Sequence, residues 1–196
     1  EKKYYNSAFL LSPQGAILNQ YDKIHLVPFG EYIPFKKIFP FLQKFVPIEE
    51  NFSPGDKYTV FSLPLKKQSV NFSVLICFED TFPQLVRNFV YNGAEFLINI
   101  TNDGWFKKSF APYQHAALAV FRAVENNVYL VRSANTGLSC LISPRGEIID
   151  KITNKKGEAI WTEGTKTIEL KLPLVKTDTF YTVFGDMFSI VCMIIV

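Results

Sequence analysis

The sequence predicts an α/β fold with a mixed β-sheet, and three observations support this class. Predicted helices and strands alternate in the middle of the chain, between residues 69 and 133. Hairpins with the usual turn residues flank that middle part. Hydrophobic residues fill 48% of the 196 positions, which is enough for one sizeable core. No internal repeat or low-complexity tract interrupts the pattern.

The first elements are a hairpin and a polar, aromatic loop. Residues 5–11 and 16–21 predict two strands around a Ser-Pro-Gln-Gly turn. A loop interrupted by Pro and Gly follows over residues 21–34, and Lys23 and Glu31 lie close together within it. A solvated loop does not ordinarily carry so many aromatic residues. We therefore expect some of these side chains to face a pocket or a partner.

Residues 35–46 combine bulky apolar side chains with three lysines. The apolar residues recur at helical spacing, although Pro40 favours a break. Two interpretations stay open: a short helix packed on the domain, or an interfacial segment with aromatic residues among lipid headgroups and lysines toward phosphate. Residues 51–56 then predict a turn-rich loop, and residues 58–63 predict a strand.

The chain is organised around residues 69–83, where a β-branched apolar run meets a helix start. The run predicts a largely buried strand. Asp80 or Thr81 is expected to cap the following helix, with Pro83 in its first turn and Gly93 at its end.

Cys77 lies between this strand and this helix. The positive end of a helix dipole favours a thiolate there, which indicates a nucleophile. The alternative is a small buried apolar cysteine, the usual role of a lone cysteine. The next apolar strand ends in Asn102-Asp103-Gly104-Trp105-Phe106, and strand ends of this kind commonly form the sites of α/β proteins.

The remaining elements continue the alternation. Residues 112–127 predict a helix whose buried face carries Ala117, Val120, Phe121 and Val124. Further strands are predicted over residues 95–101, 128–133, 139–143, 147–152, 159–163 and 167–172. We expect Cys140, within a strand, and Cys192, in the apolar tail, to be inert packing residues.

Composition narrows the function. The net charge of +3 is slight and no Lys/Arg run exceeds two residues, so no nucleic-acid partner is predicted. Three widely spaced cysteines without a C-x-x-C pattern, and two histidines, predict no metal site and no disulfide framework.

The two ends of the chain are unusual. No initiator Met or signal peptide opens it. Residues 187–196 are apolar and uncharged, but they fall short of the roughly twenty residues that a bilayer-spanning helix needs. A buried C-terminal strand and a membrane helix cut off mid-span are both open, and we expect a piece of a longer membrane protein.

Several motifs together resemble the nitrilase superfamily. They are Tyr21-Asp22-Lys23, the Leu-Ile-Cys-Phe-Glu-Asp run around Cys77, and the block of residues 102–106. Further blocks look like the bacterial apolipoprotein N-acyltransferase family: His-Leu-Val-Pro-Phe-Gly-Glu-Tyr-Ile-Pro at 25–34, Gln114-His115 with Phe-Arg-Ala-Val-Glu, Val-Arg-Ser-Ala-Asn-Thr-Gly, and residues 179–186 leading into the apolar tail. The resemblance covers almost the whole chain.

The resemblance implies a nitrilase-like α-β-β-α sandwich whose N-terminal part is missing, ending in a truncated transmembrane helix. Residues 1–178 would be the C-terminal part of the catalytic domain, and residues 179–196 the start of the helix. It places the protein in the bacterial inner membrane as a monomer, with the catalytic domain on the periplasmic face. No cofactor is implied.

The implied reaction is the transfer of a fatty acyl chain from a phospholipid such as phosphatidylethanolamine to the N-terminal amine of a diacylglyceryl-cysteine apolipoprotein. Cys77 would attack the ester and form a thioester, while Lys23 and the Phe78 N–H steady the oxyanion.

Glu31 and Glu79 fall on positions that support the catalytic triad, although they could be plain surface carboxylates. Asn102, Asp103, Trp105 and Phe78 are assigned to substrate binding, with Trp105 as an acyl or headgroup contact. His115 could be a satisfied structural histidine and receives no catalytic role.

One departure from the family pattern stands out. The general-base Glu of the triad lies well upstream of the lysine in this family, and nothing before Lys23 matches it. We therefore expect the 196-residue chain alone to be inactive. Two other functions stay open: a soluble carbon–nitrogen hydrolase acting on an amide or nitrile, and a catalytically dead, membrane-tethered binding module. The intact Lys23 and Cys77 argue against the second.

Overall fold

The computed structural model describes residues 2–35, 38, 41, 51–65 and 68–195. The chain divides into two compact units, residues 1–59 and residues 60–196. The second unit contains a six-stranded sheet with parallel and antiparallel pairs, together with helices. The predicted α/β class with a mixed sheet is therefore confirmed.

The first unit contains the predicted hairpin. Its strands are β1 (Ser7–Leu11) and β2 (Ile17–Asp22), which pair antiparallel. Gly15 has a φ of +83° in the turn, a conformation that glycine adopts without steric cost. Its N–H donates to the carbonyl of Ser12 at 2.9 Å, which closes the turn.

The sheet of the second unit has the strand order β3-β4-β5-β6-β7-β8. These strands are β3 (Phe61–Pro64), β4 (Ser69–Ile76), β5 (Phe96–Thr101), β6 (Tyr129–Ala134), β7 (Cys140–Ile142) and β8 (Ile148–Lys151). Strands β4, β5 and β6 are parallel, and the outer pairs are antiparallel. Most side chains of β4 are buried, as the apolar run predicts.

Helices connect the three parallel strands, α1 (Pro83–Tyr91) after β4 and α2 (Ala111–Asn126) after β5. Parallel strands need such crossovers because each must return to the same starting edge. The three parallel strands, β4, β5 and β6, therefore end at the same edge of the sheet, which we name the carboxyl edge. Cys77, Asn102 and Asn135 each follow a strand at this edge.

The start of α1 differs from the prediction. Pro83 is the first helical residue, as expected, but the N-cap is Phe82 and no side chain caps the helix. Asp80 is not the cap because its carboxylate pairs with His115 and Arg132 in the core. Thr81 instead donates through its hydroxyl to the carbonyl of Phe78 at 2.8 Å.

The buried face of α2 is also not the predicted one. Ala117, Phe121 and Val124 are exposed, and Val120 is only half-buried. The residues that α2 buries are Pro112, His115, Ala116, Ala119, Arg122, Ala123 and Asn126. The prediction was wrong because it ranked side chains by apolarity, whereas this face combines small alanines with polar groups that find partners elsewhere in the fold.

The strands predicted over residues 159–163 and 167–172 do not form. Strand β8 is the last strand at its edge of the sheet, and the chain beyond it does not pair with it. The backbone N–H of Trp161 instead donates to the carbonyl of Thr136 at 2.8 Å. A segment with local β-propensity does not form a strand unless it can pair with the edge of a sheet.

The C-terminal residues form two short helices, α3 (Phe180–Phe184) and α4 (Met187–Ile195). The interpretation of this tail as a buried strand is therefore wrong, since α4 is helical and buries none of its residues. Among the residues that the structure covers, no helix has both the length and the apolarity that crossing a bilayer requires.

The segment 35–46 lies largely outside the described residues, which include only 35, 38 and 41 of it. Both interpretations of this segment, the packed helix and the interfacial segment, stay predictions.

Candidate active site

Cys77 begins a short 3₁₀ turn, Cys77–Thr81, directly after β4. The sequence predicts this position between strand and helix. Its φ is +55°, in the left-handed region that residues other than glycine rarely adopt. A residue with this backbone conformation needs support from its surroundings, and such residues cluster at functional sites. Cys77 is half-buried, so its thiol lies between core and surface.

Two buried polar side chains support the backbone of this turn. The side-chain amide of Asn99, on β5, donates to the carbonyl of Cys77 at 2.9 Å. Glu79 is fully buried, and one of its carboxylate oxygens accepts from the N–H of Ile76 at 2.8 Å. Side-chain hydrogen bonds therefore fix the peptide group after the Cys77 Cα and the peptide group before the Ile76 Cα, one residue earlier.

Phe78 follows the cysteine and is 37% exposed. Its ring lies edge-on to that of Phe82, with centroids 5.7 Å apart, and 6.1 Å from the ring of His115. The ring of Phe106 also lies near that of His115, with centroids 6.0 Å apart. Two aromatic rings, those of Phe78 and Phe106, therefore lie close to His115.

Four ionisable residues, Asp80, Asp103, His115 and Arg132, form what we name the buried charge network. All four are at most 3% exposed. His115 Nε2 lies 2.8 Å from an oxygen of Asp80, and Nδ1 lies 2.9 Å from an oxygen of Asp103. Arg132 pairs with Asp80 through Nη1 and lies 3.5 Å from Asp103 through Nη2. Two carboxylates thus face two cationic side chains, which compensates the cost of their burial.

The network changes the pKa values of His115 and Asp103. Burial alone would lower the pKa of His115, and Arg132 opposes its charge, but hydrogen bonds to Asp103 and Asp80 raise that pKa to about 9. Burial would raise the pKa of Asp103, yet His115, Arg132 and the hydroxyl of Thr101 hold it below its usual value. At neutral pH, His115 is therefore a cation that donates from both ring nitrogens.

Each member of the network comes from a different element. Asp80 belongs to the Cys77 turn, Asp103 to the loop after β5, His115 to α2 and Arg132 to β6. The network therefore ties the Cys77 turn to the neighbouring loop through charge pairs rather than through apolar packing alone.

The loop at residues 102–106 is also tied to the turn after β6. Asn102 is exposed, and its side-chain oxygen accepts from the N–H of Gly104 at 3.1 Å and from the amide of Asn135 at 2.7 Å. Asn135 in turn accepts from the N–H of Asp103 at 3.1 Å. Trp105 is 76% exposed at the tip of this loop.

In the first unit, Lys23 and Glu31 form a close ion pair. Lys23 is 1% exposed, and its ammonium lies 2.7 Å from a carboxylate oxygen of Glu31. Glu31 also accepts from the N–H of Val27 at 2.8 Å and from the amide of Asn6 at 2.7 Å. Burial would raise the pKa of Glu31, but these three donors hold it below its usual value. Glu31 is thus an ionised partner that fixes the Lys23 ammonium.

The backbone of Lys23 is fixed on both sides. Its N–H donates to the carbonyl of Asn6, and its carbonyl accepts from the N–H of Gly55, both at 2.8 Å. A Cβ on Gly55 would lie 2.2 Å from the carbonyl oxygen of Asp22, so only glycine fits there. A cavity of about 430 Å³ lies beside this segment, lined by residues that include Ile24, His25 and Tyr32.

The sequence analysis did not identify Asn99, Asp80, Arg132 or Asn6 as site residues. A usable signal exists for two of them: Asn99 and Arg132 are polar residues within otherwise apolar strands, and a buried polar group must have a partner. Across the described ranges, no group of His, Cys, Asp or Glu side chains is arranged to hold a metal ion.

Comparison with known proteins places these features in a family. The carbon-nitrogen hydrolase family model matches residues 1–177. The chain is 45% identical over 191 residues to an apolipoprotein N-acyltransferase from Geobacter metallireducens, covering 97% of this chain and 34% of that protein. It is 43% identical over 199 residues to apolipoprotein N-acyltransferase 2 from Treponema denticola, covering 99% and 36%. The chain thus spans about a third of the length of these relatives.

Solved structures agree on the fold. Nit3 from Saccharomyces cerevisiae, a member of branch 10 of the nitrilase superfamily, has a TM-score of 0.56 at 25% identity, covering 81% of this chain and 51% of that one. An amidase of the nitrilase superfamily from Nesterenkonia has a TM-score of 0.51 at 23% identity, covering 74% and 51%. The nitrilase-like α/β fold is confirmed, and the chain belongs to the carbon–nitrogen hydrolase family.

Proposed function

We propose that the protein transfers a fatty acyl chain from a membrane phospholipid to the N-terminal amine of a diacylglyceryl-cysteine apolipoprotein, through a thioester on Cys77. The relatives named apolipoprotein N-acyltransferase, which this chain matches over nearly its whole length, support the reaction. The observation that carries the proposal is Cys77 itself, a half-buried cysteine with φ of +55° at the carboxyl edge.

The other two cysteines are poorer candidates for the nucleophile. Cys140 is buried within β7, and burial raises the pKa of its thiol to about 11, so it stays protonated at neutral pH. Cys192 is exposed on α4, where no residue is buried. Cys77 is partly exposed, and a hydrogen bond from Asn99 fixes its backbone carbonyl.

In the first half-reaction, the Cys77 thiolate attacks the ester carbonyl carbon of the phospholipid. An S–C bond forms, the oxyanion collapses, and the C–O bond breaks to release a lysophospholipid alkoxide that takes up a proton. In the second half-reaction, the α-amine of the acceptor attacks the thioester carbonyl. A C–N bond forms, the amine loses a proton, and the thiolate leaves, so the acyl chain ends in an amide.

We assign Lys23 and the Phe78 N–H to stabilising the oxyanion in both steps, as the family resemblance implies. Electrostatic stabilisation of this kind is worth about 10²–10³ in rate for a single donor. The ion pair with Glu31 supports this role because it fixes the ammonium position. Glu79 supports the Cys77 turn from within the core.

Asn102, Asp103 and Trp105, with Phe78, are proposed to shape the substrate site. The exposure of Trp105 and Phe78 suits contacts with an acyl chain or headgroup. Asp103 is fully buried, so its contribution would be to position the loop rather than to touch the substrate.

The general base is proposed to be a Glu outside these 196 residues. Glu31 is a poor base because its pKa is lowered, and Glu79 is committed to the N–H of Ile76. We also propose that the complete sandwich and a membrane helix continuing from α4 belong to the whole protein. It would act as a monomer in the bacterial inner membrane with the site on the periplasmic face, and phosphatidylethanolamine would be its donor.

The test uses the protein at its full genetic length in detergent micelles, with phosphatidylethanolamine labelled in its acyl chains and a synthetic diacylglyceryl-cysteine peptide. We expect the label in an amide of the peptide that hydroxylamine does not cleave. Hydrolysis of small amides without transfer to the peptide would contradict the proposal and favour a hydrolase. The 196-residue chain alone is expected to give no transfer.

A further inference from the structure

An exposed group of aromatic and lysine side chains lies in the second unit. We name it the aromatic–lysine patch, and it consists of Trp105, Lys107, Lys108, Phe110 and Trp161. Trp105 and Phe110 are 76% and 81% exposed, and Trp161 is 46% exposed. Single exposed apolar residues need no explanation, but three large exposed aromatic side chains on two segments in contact indicate a surface that another molecule covers.

The patch is held together by specific contacts. The indole N–H of Trp161 donates to the carbonyl of Lys107 at 3.2 Å, and the Lys108 ammonium lies 5.9 Å from the centre of the Trp161 ring. The backbone of Trp161 is fixed by its 2.8 Å hydrogen bond to Thr136. Trp161 therefore lies against residues 107–108, which are far from it in sequence and closely follow Trp105.

The patch lies at the carboxyl edge of the sheet, where Cys77 also lies. Residues 102–110 follow β5 and Thr136 follows β6, just as Cys77 follows β4. The apolar helix α4 begins near this edge as well, since Gln84 in the first turn of α1 donates to Asp186, the residue before α4. Two exposed apolar groups of the second unit, the aromatic–lysine patch and the start of α4, thus lie near the edge of the sheet that Cys77 follows.

The chemistry of the patch matches a phospholipid surface. Tryptophan prefers the boundary between headgroups and hydrocarbon, which is the depth of the glycerol ester carbonyls. Lysines near an anionic leaflet are attracted to it electrostatically. Neither Lys107 nor Lys108 is ion-paired with a carboxylate in the part of the chain that the structure describes, so both ammonium groups are available to phosphates.

We propose that the aromatic–lysine patch rests in the headgroup region of an anionic phospholipid bilayer and thereby brings the carboxyl edge to the depth of the ester carbonyls. The inference deepens the proposed function, because it names the surface through which the enzyme reaches its lipid donor.

The first experiment places the photoreactive residue p-benzoylphenylalanine at position 105, 161 or, as control, 121. Phe121 is 58% exposed on α2, and roughly 15 Å of helix separates it from Phe110. The full-length protein is reconstituted in vesicles of phosphatidylcholine and phosphatidylglycerol that contain a tagged diether lipid. A diether has no ester and cannot acylate Cys77, so any label reports proximity alone.

After irradiation, we expect positions 105 and 161 to carry about fivefold more lipid label than position 121, as an interfacial surface should. Equal labelling at the three positions overturns the proposal. So does cross-linking of position 105 or 161 in native membranes to a protein of defined mass instead of to lipid.

The second experiment tests the charge. The double variant Lys107→Gln/Lys108→Gln, with the probe at 105, should lose about three- to tenfold of its labelling in anionic vesicles and none in pure phosphatidylcholine. An equal loss in both kinds of vesicle, or no loss, overturns the role of the lysines.

Acylation of Cys77 by a short ester that dissolves in water separates this inference from the proposed function. Acylation without lipid labelling at the patch refutes the membrane contact and leaves the acyltransferase intact. Lipid labelling without acylation refutes the acyltransferase and leaves the membrane contact intact.

Discussion

The side-chain amide of Asn99 donates a hydrogen bond of 2.9 Å to the backbone carbonyl of Cys77. The donor lies on β5 and the acceptor follows β4, so a neighbouring parallel strand holds Cys77 in its left-handed conformation. The other amide atom, Oδ1 of Asn99, is buried without a partner among the described residues. An unsatisfied buried acceptor costs stability, so Asn99 holds Cys77 at some expense to the stability of the fold.

Asn99→Leu is therefore expected to slow acylation of Cys77 about tenfold or more, the cost of a displacement of the reacting group. Stability should change little, because the variant removes the unsatisfied oxygen together with the hydrogen bond. Single-turnover acylation and thermal unfolding measure the two effects. Asn19→Leu, at an exposed position of β2, is the control. An unchanged acylation rate in Asn99→Leu would refute the positioning role.

The buried charge network predicts a pH dependence of stability. His115 has a folded-state pKa of about 9, above the unfolded value of 6.5. Its contribution is therefore complete below about pH 6.5 and is lost as the pH rises through 9, up to about 3 kcal/mol in total. Urea unfolding at pH 6.5 and pH 9.5 measures it.

In the same comparison, His115→Gln should be less stable than the parent at pH 6.5, and the difference should shrink at pH 9.5. The groups facing His115 are Asp80, Asp103 and Arg132, and the lowered pKa of Asp103 keeps that carboxylate ionised across this range. A difference in stability that stays constant with pH would mean that His115 is not charged in the folded protein.

Gly137 predicts a steric constraint on the same network. A Cβ at this position would lie 1.9 Å from a carboxylate oxygen of Asp103, which is fully buried and cannot move aside. Gly137→Ala should destabilise the fold by about 1–3 kcal/mol. Gly30→Ala is the control, since its nearest neighbour is a Val27 methyl group at 3.2 Å. Equal stability of the two variants in urea would show that the loop adjusts freely.

The proposed role of Lys23 in stabilising the oxyanion predicts how a substitution at this position changes catalysis. Lys23→Met keeps much of the side-chain volume but removes the cation, so the acylation rate should fall by about two orders of magnitude. Lys57→Met, in the same unit but exposed, should keep the parental rate. If Lys23→Met acylated as fast as Lys57→Met, the ammonium would have only a structural role as the partner of Glu31.

The sequence was informative where a signal is local. The alternating apolar run of β4 and the proline at the start of α1 predicted the strand and helix around Cys77, and both elements form. The hairpin turn at Gly15 was also predictable, because its turn residues are adjacent in the sequence. In each case the residues that determine the structure are neighbours in the chain.

The parts that could not be predicted depend on partners distant in sequence. Aspartate is a common helix N-cap, and Asp80 lies where the sequence predicts a helix to begin. Its carboxylate instead forms a buried ion pair with Arg132, which is 52 residues away in the sequence. The buried face of α2 carries His115 and Arg122, whose charges are acceptable only because Asp80, Asp103 and Glu125 receive them. A pattern of apolarity along one helix contains no information about such partners.

The nucleophile can be tested by one measurement on the full-length protein. Wild-type protein and the Cys77→Ser variant are incubated with phospholipid labelled in its acyl chains, without an acceptor peptide, and each protein is examined for label that hydroxylamine releases. The variant is nearly isosteric, but an alcohol is far less ionised than a thiol at neutral pH. We expect a hydroxylamine-labile acyl group on the peptide containing Cys77 in the wild type and none in the variant. Equal labelling of the two proteins, or a thioester on Cys140 or Cys192, would contradict the assignment of Cys77 as the nucleophile.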